Sequence, residues 1–137
     1  MAEVWDHYLQ GKSHNFVYRP RYCEGIKLLL KNYKLSDDIA FRFSDRKWSE
    51  WPLSADKFGS WVSAMNGNGD CVNLFMDYET LGEHQWESTG IFDFLKQIPS
   101  EIFKNKDNKF VTPSELTHFE ARNEVDVPYL MSWADVE

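Results

Sequence analysis

Two adjoining segments, CVNLFM at residues 71–76 and DYETLGEHQW at residues 77–86, decide which fold the sequence predicts. The first segment is apolar except for Asn73, and turn-forming residues lie on both sides of it. A short apolar run of this kind is typical of a strand that is buried on both faces, as in a parallel sheet. We therefore expect a buried strand over residues 71–76 that ends in a cluster of carboxylates, a histidine and an indole.

The other hydrophobic patterns predict alternating helices and strands. The predicted helices span residues 25–33, residues 55–66 with Ser54 as N-cap, residues 91–98 ahead of Pro99, and the residues from 127 onward. The other predicted strands span residues 39–44 and 110–111, and residues 45–52 and 104–109 are expected to be loops. Strands that alternate with helices imply parallel βαβ units, so the expected fold class is α/β.

The composition limits the classes of partner. The formal net charge is −7 and no basic stretch exceeds two residues, so the electrostatic footprint of a nucleic-acid-binding protein is missing. The acidic balance also argues against anionic membranes. Residues 1–10 lack the apolar core of a signal peptide, and the two cysteines form neither a disulfide framework nor a zinc motif. We therefore expect a cytoplasmic location.

The carboxylates after residue 76 suit acid/base chemistry, because functional residues of α/β sheets collect at the carboxyl ends of strands. Asp77 and Glu79 are two residues apart, so an extended backbone points both side chains to one face. Two neighbouring carboxylates raise the pKa of at least one of them, which suits a general acid that protonates a glycosidic oxygen. Acids and an indole together fit a neutral, hydroxyl-rich ligand such as a sugar.

Simpler interpretations of the same segment stay open. An Asp-x-Glu sequence after a strand is more often a helix cap or a surface turn than a catalytic pair. Asp77, Glu79, Glu83 and His84 are also ligand types for a divalent metal ion, although their spacing matches no metal motif. Trp86 is expected either to form a platform for a sugar ring or to pack against the protein.

Five residues elsewhere are candidates for substrate binding. Arg42 lies in the middle of a predicted strand, where it would pair with an acidic group or face a cavity. Trp48 and Trp51 follow that strand in a loop and are expected either to stack on sugar rings or to pack. Trp133 and Asp135 would supply a ring and a carboxylate to the substrate site, or they would simply lie on one face of a helix without a role in binding.

Three separated segments together resemble the α-amylases of glycoside hydrolase family 57. They are LLLKNYKLSDDIAFRFS at residues 28–44, the segment at residues 73–95 that contains DYETLGEH, and SWADVE at residues 132–137. With the intervening segments in the same order, the resemblance covers about residues 16–137. The agreement of three motifs makes the resemblance specific.

The resemblance implies a retaining hydrolase that acts on α-glucans and has a catalytic domain built as an incomplete, seven-stranded TIM-like barrel. The family's fourth signature region carries the aspartate that serves as general acid/base, and Asp77 occupies the matching position. The family's nucleophile is a glutamate on an earlier strand, and its first region supplies a histidine; no segment here matches either region. Leu81 stands where family members usually carry phenylalanine, which removes a ring next to the site.

Residues 1–137 are therefore expected to be the C-terminal portion of a family 57-like catalytic barrel, truncated at both ends and inactive alone. The residues expected to bind substrate or support Asp77 are Glu79, Glu83, His84, Trp86, Arg42, Trp48, Trp133 and Asp135. The expected partners are α-glucan polysaccharides or oligosaccharides, and neither a cofactor nor a metal is expected. The alternatives are a 4-α-glucanotransferase on the same scaffold, a non-catalytic glucan-binding domain and, third, a metal-dependent hydrolase.

Overall fold

The structure, a computed structural model, describes residues 6–131, with side chains from Tyr8 onward. Its helices are α1 (Asp6–Leu9), α2 (Tyr33–Ala40), α3 (Ala55–Ser63), α4 (Ile91–Ile102) and α5 (Pro113–Leu116). Its strands are β1 (Val17–Pro20), β2 (Leu28–Leu29) and β3 (Glu124–Val125), and two 3-10 turns span Tyr78–Thr80 and Glu87–Thr89. The described residues form two compact units.

Unit 1 combines residues 6–33, 67–74 and 111–131 around a three-stranded sheet in the order β2-β1-β3. β1 pairs antiparallel with β2 and parallel with β3. Consecutive residues of a strand point to opposite faces of a sheet. Val17 and Tyr18 of β1 accordingly belong to two different buried clusters, the first with Leu29 and Leu116 and the second with Leu9, Leu30 and Val125. Each face of the sheet therefore has its own apolar core.

Three buried asparagines join the separate stretches of unit 1. Nδ2 of Asn32 donates to Oδ1 of Asn15 at 3.0 Å, and the backbone N–H of Asn32 donates to the carbonyl of Asn73 at 2.9 Å. Nδ2 of Asn73 in turn donates to the carbonyl of Leu30 at 3.0 Å. Burying a polar group costs free energy unless the group is hydrogen-bonded. The Asn73 amide therefore supplies a donor to the backbone of Leu30, and the Asn32 and Asn15 amides satisfy each other.

Residues 71–76 are not a strand, so this part of the prediction is wrong. Asn73 is the one buried residue of the six, whereas Leu74 is 36% and Phe75 52% exposed. The N–H of Cys71 donates to the carbonyl of Asn15 at 3.0 Å, and the N–H of Phe75 donates to Oγ of Ser36 at 3.1 Å. An apolar run becomes a doubly buried strand only where neighbouring strands pair with it, and here other partners take the backbone groups.

The predicted helix over residues 25–33 and the predicted strand over residues 39–44 are both wrong. β2 occupies part of the first range, and the end of α2 with a following turn occupies the second. The buried residues of α2 (Leu35, Ser36, Asp38, Ile39 and Ala40) lie mainly on one helical face. A short apolar run fits a helix or a strand equally well, so pairing of Leu28–Leu29 with β1 decides the outcome.

Unit 2 combines residues 34–66 and 75–110 and contains most of α2 together with α3 and α4. α3 packs against α4, and the ring centroids of Phe58 and Phe94 lie 5.7 Å apart. The buried residues of α4 are Ile91, Phe94, Ile98 and Ile102, at helical spacing. The helix predicted after Ser54 is confirmed as α3, although it ends at Ser63 and the Ser54 side chain makes no capping hydrogen bond.

Three further predictions need correction. α4 continues through Pro99, because proline removes only one backbone N–H while Ile98 and Ile102 stay buried around it. Residues 110–111 are not a strand; instead Thr112 and Glu115 form the capping box that begins α5. Residues 127–131 are not helical, and the rest of the helix predicted there lies outside the described residues.

The partial TIM-like barrel stays a prediction. The structure shows a small mixed α/β arrangement, and three short strands of mixed direction do not test how a larger sheet would curve or close. Among residues 6–131, no helix has the length and apolar character needed to cross a lipid bilayer.

Gly69→Ala is expected to destabilise unit 1 by about 1–3 kcal/mol, as overpacking does in well-packed proteins. A Cβ at Gly69 would lie 2.6 Å from Cβ of Asn15 and 2.8 Å from its carbonyl oxygen, which accepts two backbone hydrogen bonds. Urea unfolding measures the difference. Gly25→Ala is the matched control, because a Cβ there meets no atom within 4 Å. Equal stability of the two variants would contradict the predicted clash.

Candidate functional site

Residues 77–86 form an irregular loop in unit 2, and its backbone closes on itself. The carbonyl of Asp77 accepts from the N–H of Thr80 at 3.0 Å, and the carbonyl of Thr80 accepts from the N–H of Gln85 at 2.9 Å. The N–H of Gly82 donates to the carbonyl of Gln85 at 3.0 Å. Gly82 has a φ of +113°, which residues with a Cβ rarely adopt. Glycine therefore lets the loop turn back on itself between Thr80 and Gln85.

The loop presents its acidic side chains to solvent. Asp77, Glu79, Glu83 and His84 are all exposed. Asp77 stands at the N-cap position of a 3-10 turn, but its carboxylate makes no capping hydrogen bond. Within residues 6–131 this carboxylate has no hydrogen-bond or ion-pair partner at all. The helix-cap interpretation therefore does not explain this carboxylate, whereas the surface-turn interpretation agrees with its exposed position.

Two aromatic rings of the same loop are exposed. Trp86 is 65% exposed and Tyr78 is 97% exposed. Such exposure leaves little of either ring packed against the protein. Packing therefore does not account well for Trp86, and its role as a platform for a sugar ring stays a prediction. The sequence did not single out Tyr78, because a tyrosine between two acidic residues fits no hydrophobic pattern.

Two polar residues of the loop are buried, in contrast to its acids. Thr80 is 3% exposed and Gln85 is 2% exposed. Nε2 of Gln85 donates to the carbonyl of Ala40 at 2.9 Å, which ties the loop to the last residue of α2. Sequence reasoning missed both residues, because a polar residue in an acidic run gives no signal that it is buried.

Arg42 lies in the bend after α2, where it pairs with an acidic residue. Its Nε lies 2.6 Å from Oδ1 of Asp38, whose side chain is 3% exposed, and its Nη2 donates to the carbonyl of Lys34 at 3.0 Å. The guanidinium carbon also lies 5.8 Å from the ring centroid of Trp48. Of the two roles expected for Arg42, the structure shows the pairing.

The tryptophans of the predicted loop differ in their surroundings. Trp48 is half-buried, and its ring meets that of Trp61 edge to face at 6.2 Å. Trp51 is 42% exposed, with the guanidinium of Arg46 at 5.8 Å from its ring centroid. Packing therefore accounts for Trp48 more fully than for Trp51.

Two predictions remain, one for the pair Trp133 and Asp135 and one for a metal site. Trp133 and Asp135 lie outside the described residues. Within the part of the chain that the structure describes, no three His, Cys, Asp or Glu side chains are arranged to hold a metal ion. The metal alternative for residues 77–84 therefore has no support in the geometry.

Unit 1 contains an open cleft of about 1000 Å³ that none of the predicted site residues lines. Charged side chains dominate its lining, and many of them neutralise one another. Arg19 pairs with Glu124 at 2.7 Å, and Arg21 pairs with Asp126 at 3.4 Å. The cleft therefore has a mixed charge and no dominant sign.

Residues 1–129 match the family model described as glycosyl hydrolase family 57, and the chain belongs to this family. Over 132 residues it is 46% identical to a protein of Methanocaldococcus jannaschii named "Putative alpha-amylase". The match covers 94% of this chain but 27% of that protein. No solved structure matches the chain. The family resemblance drawn from three sequence motifs is thus confirmed.

Arg42→Met is expected to destabilise unit 2 by about 1–3 kcal/mol, because the buried Asp38 carboxylate loses its partner. Adding Asp38→Asn should recover part of the loss, since a neutral amide costs less to bury than a charge. Thermal unfolding compares the variants. Lys96→Met is the control: it removes an exposed pair with Asp93, for which a change of at most about 0.5 kcal/mol is expected. A loss no larger than that in Arg42→Met would contradict a stabilising Arg42–Asp38 pair.

Proposed function

We propose that Asp77 is the general acid/base of a retaining glycoside hydrolase that acts on α-glucans. The observation that carries the proposal is its exposed carboxylate, which has no partner within residues 6–131. The chain belongs to family 57, and the resemblance of its segment DYETLGEH to that family implies that Asp77 stands at the position of the acid/base aspartate. The name of the Methanocaldococcus relative supports an α-glucan as the substrate.

The proposed reaction has two halves. Protonated Asp77 donates its proton to the glycosidic oxygen as the bond to the anomeric carbon breaks, and a glutamate nucleophile forms the covalent glycosyl-enzyme. The Asp77 carboxylate then removes a proton from water, which attacks the anomeric carbon and restores the free glutamate. In retaining enzymes the two carboxyl groups lie about 5–5.5 Å apart.

The nucleophile is proposed to lie outside these 137 residues, because no segment here matches its signature region. A single carboxyl group performs the proton transfers but forms no covalent intermediate. Asp77 therefore needs a partner that this sequence does not supply, and the chain contributes one half of the catalytic pair.

The surroundings of Asp77 support a neutral, hydroxyl-rich substrate. Glu79, Glu83 and His84 offer hydrogen-bonding groups to sugar hydroxyls, and the exposed rings of Trp86 and Tyr78 offer apolar faces. A formal net charge of −7 also disfavours an anionic polymer. The two free cysteines are in keeping with the reducing cytoplasm as the site of action.

Asp77→Asn is expected to lower turnover about 10²–10⁴-fold, because an amide cannot transfer the proton. The assay uses a chimera in which this chain replaces the matching segment of the Methanocaldococcus relative, with release of reducing sugar from starch as the readout. Asp107→Asn is the control, since Asp107 is exposed in the polar loop of residues 104–109. Equal turnover of the two variants would refute the role of Asp77, as would an inactive chimera beside an active relative.

The 137-residue protein alone is expected to release no reducing sugar from starch above background, because it lacks a nucleophile for the covalent step. Adding the Asp77→Asn change should therefore leave that background unaltered. Robust turnover by the isolated protein would show that the catalytic pair is complete within these residues.

A further inference from the structure

The loop of residues 77–86 is attached to α2 at two points that lie on one face of the helix. Before the loop, the N–H of Phe75 donates to Oγ of Ser36 at 3.1 Å. Near its end, Nε2 of Gln85 donates to the carbonyl of Ala40 at 2.9 Å. Ser36 and Ala40 are four residues apart, so they are neighbours on the helix surface. Ser36 is 0% exposed and Ala40 is 5% exposed; the bond from Gln85 to Ala40 is buried, and the bond from Phe75 to Ser36 is partly buried.

Each attachment satisfies a backbone group that would otherwise lack a partner. Ala40 is the last residue of α2, and the final carbonyls of a helix have no intrahelical donor. A carbonyl only accepts hydrogen bonds, so the NH₂ end of the Gln85 amide must face Ala40. The negative end of the helix dipole lies at this carbonyl and favours such a donor. Phe75 lies outside any strand, and Ser36 gives its N–H the acceptor that a strand would provide.

Hydrogen bonds inside the loop connect the two attachments to Asp77. Phe75 is two residues before Asp77, the carbonyl of Asp77 accepts from Thr80, and the carbonyl of Thr80 accepts from Gln85. The path from Ser36 to Ala40 therefore passes through the backbone of Asp77. The Asp77 side chain takes no part in it, which leaves the carboxylate free.

We propose that Ser36 and Gln85 are positioning residues, which hold the backbone of Asp77 against α2 so that its carboxylate meets the glycosidic oxygen in a fixed place. This inference rests on the proposed acid/base role of Asp77. Proton transfer requires the donor within hydrogen-bond reach of the reacting atom, and a displacement of about 1 Å can cost about 10²-fold in rate. Neither residue touches the reacting atoms, so both act through Asp77.

Hydrogen exchange on the 137-residue protein tests the attachment itself. In Gln85→Met, which keeps the length of the side chain but removes its donor, the amides of Thr80, Gly82 and Gln85 should exchange about tenfold faster. Ser36→Ala should have a similar local effect. The amides of α3 and α4 should keep their rates. Gln97→Met is the matched control, because Gln97 is exposed on α4.

Two exchange results would overturn the proposal. If the loop amides of Gln85→Met exchange at the rates of Gln97→Met, the attachment does not hold the loop. If the amides of α3 and α4 accelerate by the same factor as those of the loop, Gln85 stabilises unit 2 as a whole and does not position Asp77.

Kinetics of the chimera test the link to catalysis. Gln85→Met and Ser36→Ala should each lower kcat/KM about 10–100-fold, with most of the loss in kcat, because they displace Asp77 together with the loop that carries it. Combined with Asp77→Asn, they should cause no further loss, since residues that act as one unit are not additive. Additive losses would show that the two residues act independently of Asp77 and would overturn the proposal. If Asp77→Asn alone has no effect, the acid/base role fails, and the exchange data still report whether the loop is attached.

Discussion

The need to pair buried backbone groups governs how this chain is built. The strands among residues 6–131 have four residues or fewer, so a sheet satisfies only a small share of the backbone groups there. Amide and hydroxyl side chains take over the task in both units. Asn73 donates to the carbonyl of Leu30 in unit 1, and in unit 2 Asn108 donates to the carbonyl of Ile102 at 3.1 Å. A buried group without a partner costs about 1–3 kcal/mol, so each of these side chains stabilises the path of the chain around it.

This constraint explains which elements could be predicted from the sequence. α3 and α4 follow from apolar spacing, because the buried face of each helix recurs at helical intervals within its own short segment. The sheet could not be predicted, since Arg19 of β1 lies opposite Glu124 of β3, far away in sequence, and Val17–Pro20 shows no period. The segment at residues 71–76 misled the prediction because no strand pairs with it, so its apolar side chains stay partly or fully exposed while the polar Asn73 is buried.

The residues of the candidate site also fall into those that the sequence suggested and those that only the structure revealed. Asp77 was proposed from the sequence alone, because its acidic neighbourhood and the resemblance of its segment to family 57 both point to it, and its role stays a prediction. The hydrogen bonds of Ser36 with Phe75 and of Gln85 with Ala40 could not be predicted, because sequence spacing does not reveal these contacts. The predicted position of Arg42 in a strand was wrong, yet pairing with an acid was the right expectation, since a charge next to buried groups needs a counter-charge.

The two hydrogen bonds that attach the loop to α2, from Phe75 to Ser36 and from Gln85 to Ala40, involve no charged group. This determines how they respond to pH and salt. A hydroxyl and a primary amide do not ionise in the range where enzymes work, and dissolved ions screen charges far more than they affect neutral dipoles. These two hydrogen bonds therefore persist as acidity and ionic strength change. A loop held in this way stays attached to its helix under conditions that would loosen a loop held by surface ion pairs alone.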